Sequence, residues 1–217
     1  MADFSALRSM MVDTQIRPSD VTKYPIIDAM LRIERERFVP DASRATAYMD
    51  GAVSLGAGRA MLEPRVFAKL LDALDIESDE LVLDVGAGLG YSSAVIARMA
   101  QAVVAVENDE DLVADAESAL SDIGADNAVV VFGDLSAGAE QHGPFDVLII
   151  QGAIEDIPAA LLDQLKDGGR IGAIFSEGAL GVARVGLKRG KTVNWRDVFN
   201  ANAEILPGFE RAREFQL

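Results

Sequence analysis

The stretch LDVGAGLGYSSAVIA, residues 83–97, places three glycines within five positions, between an apolar run and a segment with helical patterning. A strand, a glycine-rich turn and a helix in this order are typical of doubly wound α/β proteins, whose ligands lie at the carboxyl ends of the strands. The spacing Gly86-x-Gly88-x-Gly90 is followed by Tyr91, where a dinucleotide-binding turn requires a small residue. The turn therefore predicts a ligand that approaches the backbone closely, and it disfavours a dinucleotide.

The rest of the chain alternates between short Val- and Ile-rich runs and helical segments, which indicates a mostly parallel sheet covered on both faces. Strands are predicted at residues 81–85, 102–107, 127–132, 145–153 and 170–176, and helices at residues 91–100, 110–124 and 157–169. Residues 182–201 alternate in polarity and predict an antiparallel pair that closes one edge of the sheet.

These patterns predict an α/β fold with a doubly wound, mostly parallel sheet of the seven-stranded type. We expect this domain to occupy residues 79–217. Residues 1–78 are expected to form an N-terminal extension of helices and loops, in which residues 20–40 predict a helix that ends at Pro40.

Composition and charge exclude several classes of protein. The 217 residues contain no cysteine, which excludes a disulfide framework, a thiolate metal site and a cysteine nucleophile. The formal net charge is −15, and residues 71–140 hold 16 acidic side chains against a single basic one, Arg98. A surface this acidic repels nucleic acid and anionic lipid. With no apolar run of signal-peptide or membrane-spanning length, we expect a cytoplasmic protein with no metal site and with neither nucleic-acid nor membrane partners.

Two acidic residues are predicted to lie at the same edge of the sheet as the glycine turn. Glu107 ends the second strand, 19 residues after Gly88, where a carboxylate can accept hydrogen bonds from both hydroxyls of a ribose. Asp134 follows the third strand, where it either accepts a hydrogen bond from an adenine amino group or forms an Asx-turn or helix cap. The turn has no Lys or Arg nearby, which favours a nucleoside without phosphate. The candidate binding residues are Gly86, Ala87, Gly88, Leu89, Gly90, Glu107, Asn108, Gly133, Asp134 and Leu135.

The segment LDVGAGLG, followed by VVAVE and VVVFGD, resembles the S-adenosylmethionine-binding core of class I methyltransferases. Over nearly its whole length the chain is similar to the protein-L-isoaspartate O-methyltransferase family. The matching segments include MMVDTQI, IIDAMLRIERERFVP, AYMDGAVSLGAG and FDVLIIQGAIEDIP. The resemblance implies a Rossmann-like fold, S-adenosylmethionine as the cofactor, and transfer of a methyl group to a carboxylate of a damaged protein.

The loop at residues 56–64 departs from the family pattern. That pattern runs Gly-x-Gly-Gln-Thr-Ile-Ser-x-Pro, and its Thr and Ser hydroxyls belong to the active site. This chain has GAGRAMLEP, so Ala60 and Leu62 replace the two hydroxyl residues and Arg59 replaces the Gln. From the sequence, Arg59 either pairs with Glu63 or meets an acidic substrate. The resemblance therefore implies an intact cofactor site beside an acceptor site that has lost its hydroxyl chemistry.

Methyl transfer to a carboxylate requires no general base, because the acceptor is ionised at neutral pH and catalysis depends on alignment and exclusion of water. We therefore expect a methyltransferase that acts on a protein or peptide, or on a small carboxylate, with weak activity on isoaspartyl peptides. Two alternatives remain open: a methyltransferase with a different acceptor, and a non-catalytic module that binds the cofactor. A nicotinamide oxidoreductase is disfavoured by Tyr91 and by the lack of a late Tyr-x-x-x-Lys motif.

Overall fold

The computed structural model describes residues 3–56 and 58–211, so that Ala57 of the divergent loop lies outside the described residues. The N-terminal region consists of helices and one small hairpin. In chain order its elements are α1 (Phe4–Met11), α2 (Tyr24–Arg32), β1 (Val53–Gly56), β2 (Arg59–Met61) and α3 (Pro64–Leu74). β1 and β2 pair antiparallel as a two-stranded sheet of their own, which we call the hairpin.

A seven-stranded sheet forms the centre of the molecule and confirms the predicted doubly wound fold. Its strands are β3 (Leu81–Val85), β4 (Ala102–Glu107), β5 (Ala128–Phe132), β6 (Phe145–Ile154), β7 (Leu165–Glu177), β8 (Leu180–Arg189) and β9 (Thr192–Asn200). They lie in the order β5-β4-β3-β6-β7-β8-β9. The first five are parallel, and β8 and β9 close one edge as the predicted antiparallel pair.

The continuous apolar runs of the central strands are explained by two cores, one on each face of the sheet. In β6, Val147 and Ile149 belong to one core, whereas Leu148 and Ile150 belong to the other. Side chains alternate between the two faces of a strand, so a strand covered on both sides needs apolar residues at consecutive positions.

Helices α4 (Tyr91–Ala97), α5 (Glu110–Asp122) and α6 (Ala159–Asp163) connect the parallel strands. α5 begins at an Asp109 cap, whose carboxylate accepts hydrogen bonds from the backbone N–H groups of Asp111 and Leu112. Its buried residues are spaced four apart, at Leu112, Ala116 and Leu120. In the described ranges, none of the helices has both the length and the apolar character needed to cross a bilayer.

Two predicted helices differ most from the structure, whereas α4 and α5 end only two or three residues earlier than predicted. The helix predicted at residues 157–169 is only α6, because Leu165 already pairs with Phe145 and starts β7. Strand pairing with β6 therefore overrides the helical pattern of residues 157–169. The helix predicted to end at Pro40 ends at Arg32, where Ile33 turns into an extended conformation with ψ of 123°.

The segment after β9 returns across the sheet and lies at the carboxyl ends of the central strands. Ala153 N–H donates to Glu204 O at 2.8 Å, and Leu206 N–H donates to Ala153 O at 2.9 Å. Leu206 and Phe209 are buried. We call residues 201–209 the return segment; its position was not predicted from the sequence.

The side chain of Arg170 joins α3 to the sheet. Its guanidinium contacts both carboxylate oxygens of Glu80, at 2.6 and 2.7 Å. It also donates to the backbone carbonyls of Leu74 and Asp75, at 2.7 and 2.8 Å. These carbonyls lie at the end of α3, where helical hydrogen-bond partners are missing, so Arg170 caps the helix and fixes it to β7.

We expect Arg170→Gln to lower the free energy of unfolding by about 2 kcal/mol, because it leaves a half-buried carboxylate and helix-end carbonyls without their charged donor. Urea denaturation provides the measurement. Lys166→Gln is the matched control in the same strand, because its exposed pair with Asp146 should contribute less than about 1 kcal/mol. Equal losses from the two substitutions would contradict the assigned role of Arg170.

Candidate active site

The glycine turn between β3 and α4 lies at the point where the strand order reverses. β3 has β4 on one side and β6 on the other, and this reversal opens a crevice at the carboxyl ends of β3 and β6. Gly86, Gly88 and Gly90 have φ values of 79°, 57° and 91°. Residues with a Cβ rarely adopt this left-handed conformation, which explains why the turn requires glycine at all three positions.

The carboxylate of Glu107 is buried beneath this turn and accepts four hydrogen bonds, three of them on Oε1. Its Oε2 accepts from Gly88 N–H at 2.9 Å. Its Oε1 accepts from Asn108 N–H at 2.8 Å and from Nε and Nη2 of Arg59 at 3.1 and 2.6 Å. The predicted neighbourhood of Glu107 and the turn is therefore present, with an arginine added to it.

Arg59 does not pair with Glu63, the partner within the chain that the sequence suggested. It lies 2% exposed in β2 and forms an ion pair with Glu107, whose side chain is completely buried. Glu63 instead lies near Arg65, at 3.7 Å. Burial lowers the pKa of the Arg59 guanidinium, and Glu107 and then Asp109 act against this effect. Nη1 of Arg59 has no hydrogen-bond partner among the described residues.

The other candidate binding residues have more ordinary surroundings. Asp134 is exposed, and its Oδ1 accepts from the N–H and hydroxyl of Ser136, at 2.9 and 2.8 Å, as in an Asx-turn. Leu135 is buried in the core, and Gly133 N–H donates to Glu107 O at 3.0 Å. Asn108 is exposed, while Ala87 is buried and Leu89 half-buried within the turn. Adenine recognition by Asp134 therefore stays a prediction.

A second part of the site lies between the divergent loop and the turn. Leu62 is 5% exposed and belongs to the same core as Val147 and Ile149. Ala60 lines a cavity of about 20 Å³ beside it. A cavity of this size has room for about one water molecule. Its walls are formed by Arg35, Leu55, Ala60, Met61, Leu62, Phe67, Gly86, Ala87, Tyr91, Ser92 and Gln151. The loop residues that replace the family's hydroxyls thus face a small space whose wall contains both apolar and polar groups.

Arg35 is a buried cation in the wall of this cavity, and the sequence analysis did not select it. Its Nε and Nη2 donate to Ala47 O and Leu62 O, both at 2.7 Å, so it fixes the backbone of the divergent loop. Its guanidinium carbon lies 4.8 Å from the ring centroid of Tyr91. Arg35 Nη1 and the Tyr91 hydroxyl have no hydrogen-bond partner in the described part of the chain. The cavity therefore has two buried hydrogen-bond donors in its wall.

Asp84 was also missed, although an acidic residue inside the apolar run LVLDV was a signal in the sequence. Its Oδ2 accepts from the hydroxyls of Ser92 and Ser93, both at 2.6 Å, and its Oδ1 accepts from Gln151 Nε2 at 2.7 Å. Burial raises the pKa of the Asp84 carboxyl. Three neutral donors, of which Gln151 is one, hold it in place.

Comparisons with solved structures place the fold among the methyltransferases. One protein-L-isoaspartate O-methyltransferase structure superposes with a TM-score of 0.79 at 22% identity, covering 94% of this chain and 65% of the other. A putative protein-L-isoaspartate O-methyltransferase from Plasmodium falciparum, in complex with S-adenosyl-L-homocysteine, has the same TM-score at 18% identity, covering 95% and 99% of the two chains. At these identities the likeness shows the fold.

The family follows from the sequence comparisons. The model of the protein-L-isoaspartate(D-aspartate) O-methyltransferase family matches residues 7–180. The protein-L-isoaspartate O-methyltransferase of Syntrophus aciditrophicus is 37% identical over 171 residues, which cover 79% of this chain and 78% of that protein. The one from Herpetosiphon aurantiacus is 34% identical over 212 residues, covering 95% and 94%. The chain belongs to the protein-L-isoaspartate O-methyltransferase family.

The raised pKa of Asp84 yields a test of its burial. A carboxyl whose pKa is raised on folding stabilises the protein at low pH, and this contribution is lost as the pH rises from about 3.9 through the raised value. We therefore expect wild type to gain stability relative to Asp84→Asn as the pH falls through this window. Urea denaturation at a series of pH values measures the difference.

Asp146→Asn is the control, because its effect on stability should change with pH in the opposite direction. Burial works against ionisation of Asp146, but hydrogen bonds from Leu81 N–H and Lys166 lower the pKa of its carboxyl overall. Its contribution should be present above about pH 3.9 and disappear as the pH falls. Parallel stability profiles for wild type and Asp84→Asn would contradict the burial effect on Asp84.

Proposed function

We propose that the protein is an S-adenosylmethionine-dependent methyltransferase that methylates a carboxylate of a protein or peptide. One observation carries the proposal: a family member has kept the glycine turn and the Glu107 carboxylate at the switch point of the sheet. S-adenosylmethionine, the cofactor of this family, supplies an activated methyl group. The binding residues proposed for it are the turn from Gly86 to Gly90 and Glu107 with Asn108, with Asp134 and its neighbours Gly133 and Leu135 near the adenine.

The residue types of the turn and of the strand ends fit a nucleoside, but the space around the turn does not in this conformation. A Cβ placed on Gly86 would lie 3.0 Å from Leu206 Cδ1 and 3.6 Å from Arg59 Nη2. A Cβ placed on Gly88 would lie 2.5 Å from Leu55 Cδ1. The backbone that the cofactor must approach is therefore covered by the hairpin and by the return segment.

The acceptor side is proposed to lie in the cavity beside Ala60 and Leu62. An acceptor carboxylate that enters must lose water, and Ala60 and Leu62 offer it no hydrogen bond. The unpartnered Nη1 of Arg35 and hydroxyl of Tyr91 supply donors in the same cavity wall. We propose that these two groups, together with apolar walls that exclude water, position the acceptor in place of the lost hydroxyls. A small carboxylic acid is the alternative substrate, and at about 20 Å³ the cavity must widen before it accepts either kind of acceptor.

The two parts of the chain are proposed to divide these tasks. Residues 1–78 provide the acceptor side through Arg35 and the divergent loop, and residues 79–217 provide the nucleoside side through the turn and the strand ends.

The absence of cysteine from the sequence supports a cytoplasmic location, which we propose for the protein.

Transfer of labelled methyl groups from S-adenosylmethionine to an isoaspartyl peptide tests the function. We expect a slow rate in wild type, because the loop has no hydroxyl to orient the acceptor. Ala60→Thr combined with Leu62→Ser should raise the rate about tenfold, which corresponds to roughly 1.4 kcal/mol, the size of one hydrogen bond to a charged group.

The control for this variant is Ala60→Val combined with Leu62→Ala, which changes the size of the two side chains without adding hydroxyls. Because Leu62 is buried, both variants should lose stability, and only the hydroxyl variant should gain activity. A fast rate in wild type would contradict the role assigned to the missing hydroxyls. The proposed function is overturned if neither wild type nor either of the two double variants transfers a methyl group to isoaspartyl peptides or to small carboxylates.

A further inference from the structure

The ion pair between Arg59 and Glu107 occupies the carboxylate that a ribose requires. A carboxylate has about four lone-pair sites, and Glu107 already accepts four N–H groups. Two of the four come from Arg59. A ribose therefore finds both oxygens of Glu107 engaged, and the two bonds to Arg59 are the ones that a side-chain movement can release.

The same hairpin covers the turn sterically. Leu55 of β1 lies against Gly88, and the guanidinium of Arg59 in β2 lies against Gly86. Among the described residues, the strands of the hairpin pair with each other and not with the strands of the large sheet. A movement of this one element away from the turn would uncover Gly88 and release Glu107, while Leu206 of the return segment would still lie against Gly86.

The closed arrangement leaves Arg59 incompletely satisfied. The guanidinium is 2% exposed, Nη1 has no hydrogen-bond partner among residues 3–56 and 58–211, and burial lowers the pKa of the group. Removing two charges from water opposes the attraction between them, so a buried ion pair contributes little net stability. Solvent would satisfy all five N–H donors of Arg59, which favours release when a ligand takes over the carboxylate.

We propose that Arg59 is an internal latch, which holds the nucleoside site closed by competing with the ribose for Glu107. This inference rests on the cofactor site of the proposed function and adds a regulatory contact to it. The apparent affinity for a nucleoside ligand is lowered by the fraction of molecules that are open. Removing the latch therefore tightens binding without adding a contact to the ligand.

The test is calorimetric titration with S-adenosylhomocysteine. Arg59→Gln introduces the residue of the family pattern, and it should bind about tenfold more tightly than wild type or better. Arg59→Lys retains the charge but cannot make the forked contact with Glu107. Its affinity for S-adenosylhomocysteine should therefore lie between those of wild type and Arg59→Gln. Arg65→Gln is the matched control, because Arg65 is an exposed arginine in the same region whose partner is Glu63, and its affinity should equal that of wild type.

A second measurement uses wild type and does not depend on the folding of a variant. Phenylglyoxal modifies accessible arginines, and peptide mass spectrometry locates the modified positions. Saturating S-adenosylhomocysteine should increase the modification of Arg59, because the ligand displaces it into solvent, whereas Arg35 should stay protected.

Equal or weaker binding by Arg59→Gln, or continued protection of Arg59 in liganded wild type, would overturn the latch. The latch is also overturned if neither wild type nor Arg59→Gln binds S-adenosylhomocysteine at millimolar concentration, because removal of the Arg59 side chain has then failed to open the site. Methyl transfer is measured separately. Tighter binding by Arg59→Gln than by wild type, without methyl transfer by either protein, would support the latch and count against the proposed function. Methyl transfer by wild type, together with equal affinities of the two proteins, would support the proposed function and overturn the latch.

Discussion

The hydrogen bonds to the Glu107 carboxylate hold the candidate site together. They connect three parts of the chain: the glycine turn through Gly88, the end of β4 through Asn108, and the hairpin through Arg59. A buried carboxylate must have charged or hydrogen-bonding partners, since it has lost its hydration. Because the partners come from separate segments, satisfying this one charge determines where each segment lies. The position of the hairpin over the turn follows from that requirement.

The other two buried charges of the site are satisfied in different ways. Asp84 is held by two hydroxyls and an amide, without a cation in contact, and burial raises the pKa of its carboxyl. Arg35 is held by two backbone carbonyls, without a carboxylate in contact, and burial lowers the pKa of its guanidinium. Among the described residues, neither group forms an ion pair, and both are held by neutral hydrogen-bond partners. Glu107 alone of the three has a cation against it.

The sequence predicted the elements that depend on local pattern. The strand ends, the glycine turn and the position of Glu107 follow from side-chain periodicity and from the topology of parallel sheets, which operate over short stretches of chain. The partner of Arg59 could not be predicted, since it lies 48 residues away and is reached by a long side chain. The return segment has no periodic pattern, and it is held by backbone hydrogen bonds to Ala153 that no residue type signals. The helix at residues 157–169 was overpredicted because pairing with β6 outweighs local propensity.

The changes in the divergent loop alter its side chains while its backbone remains anchored. The carbonyl of Leu62 accepts the 2.7 Å hydrogen bond from Arg35, an interaction that does not depend on the side chain at position 62. The loop can therefore keep its shape when hydroxyl residues become Ala60 and Leu62. Leu62 joins the apolar core, and Arg59 reaches across the turn to a carboxylate of the nucleoside side. Groups that would face a ligand in the family pattern thus contact the protein itself, which links the loss of hydroxyls on the acceptor side to the covering of the nucleoside side.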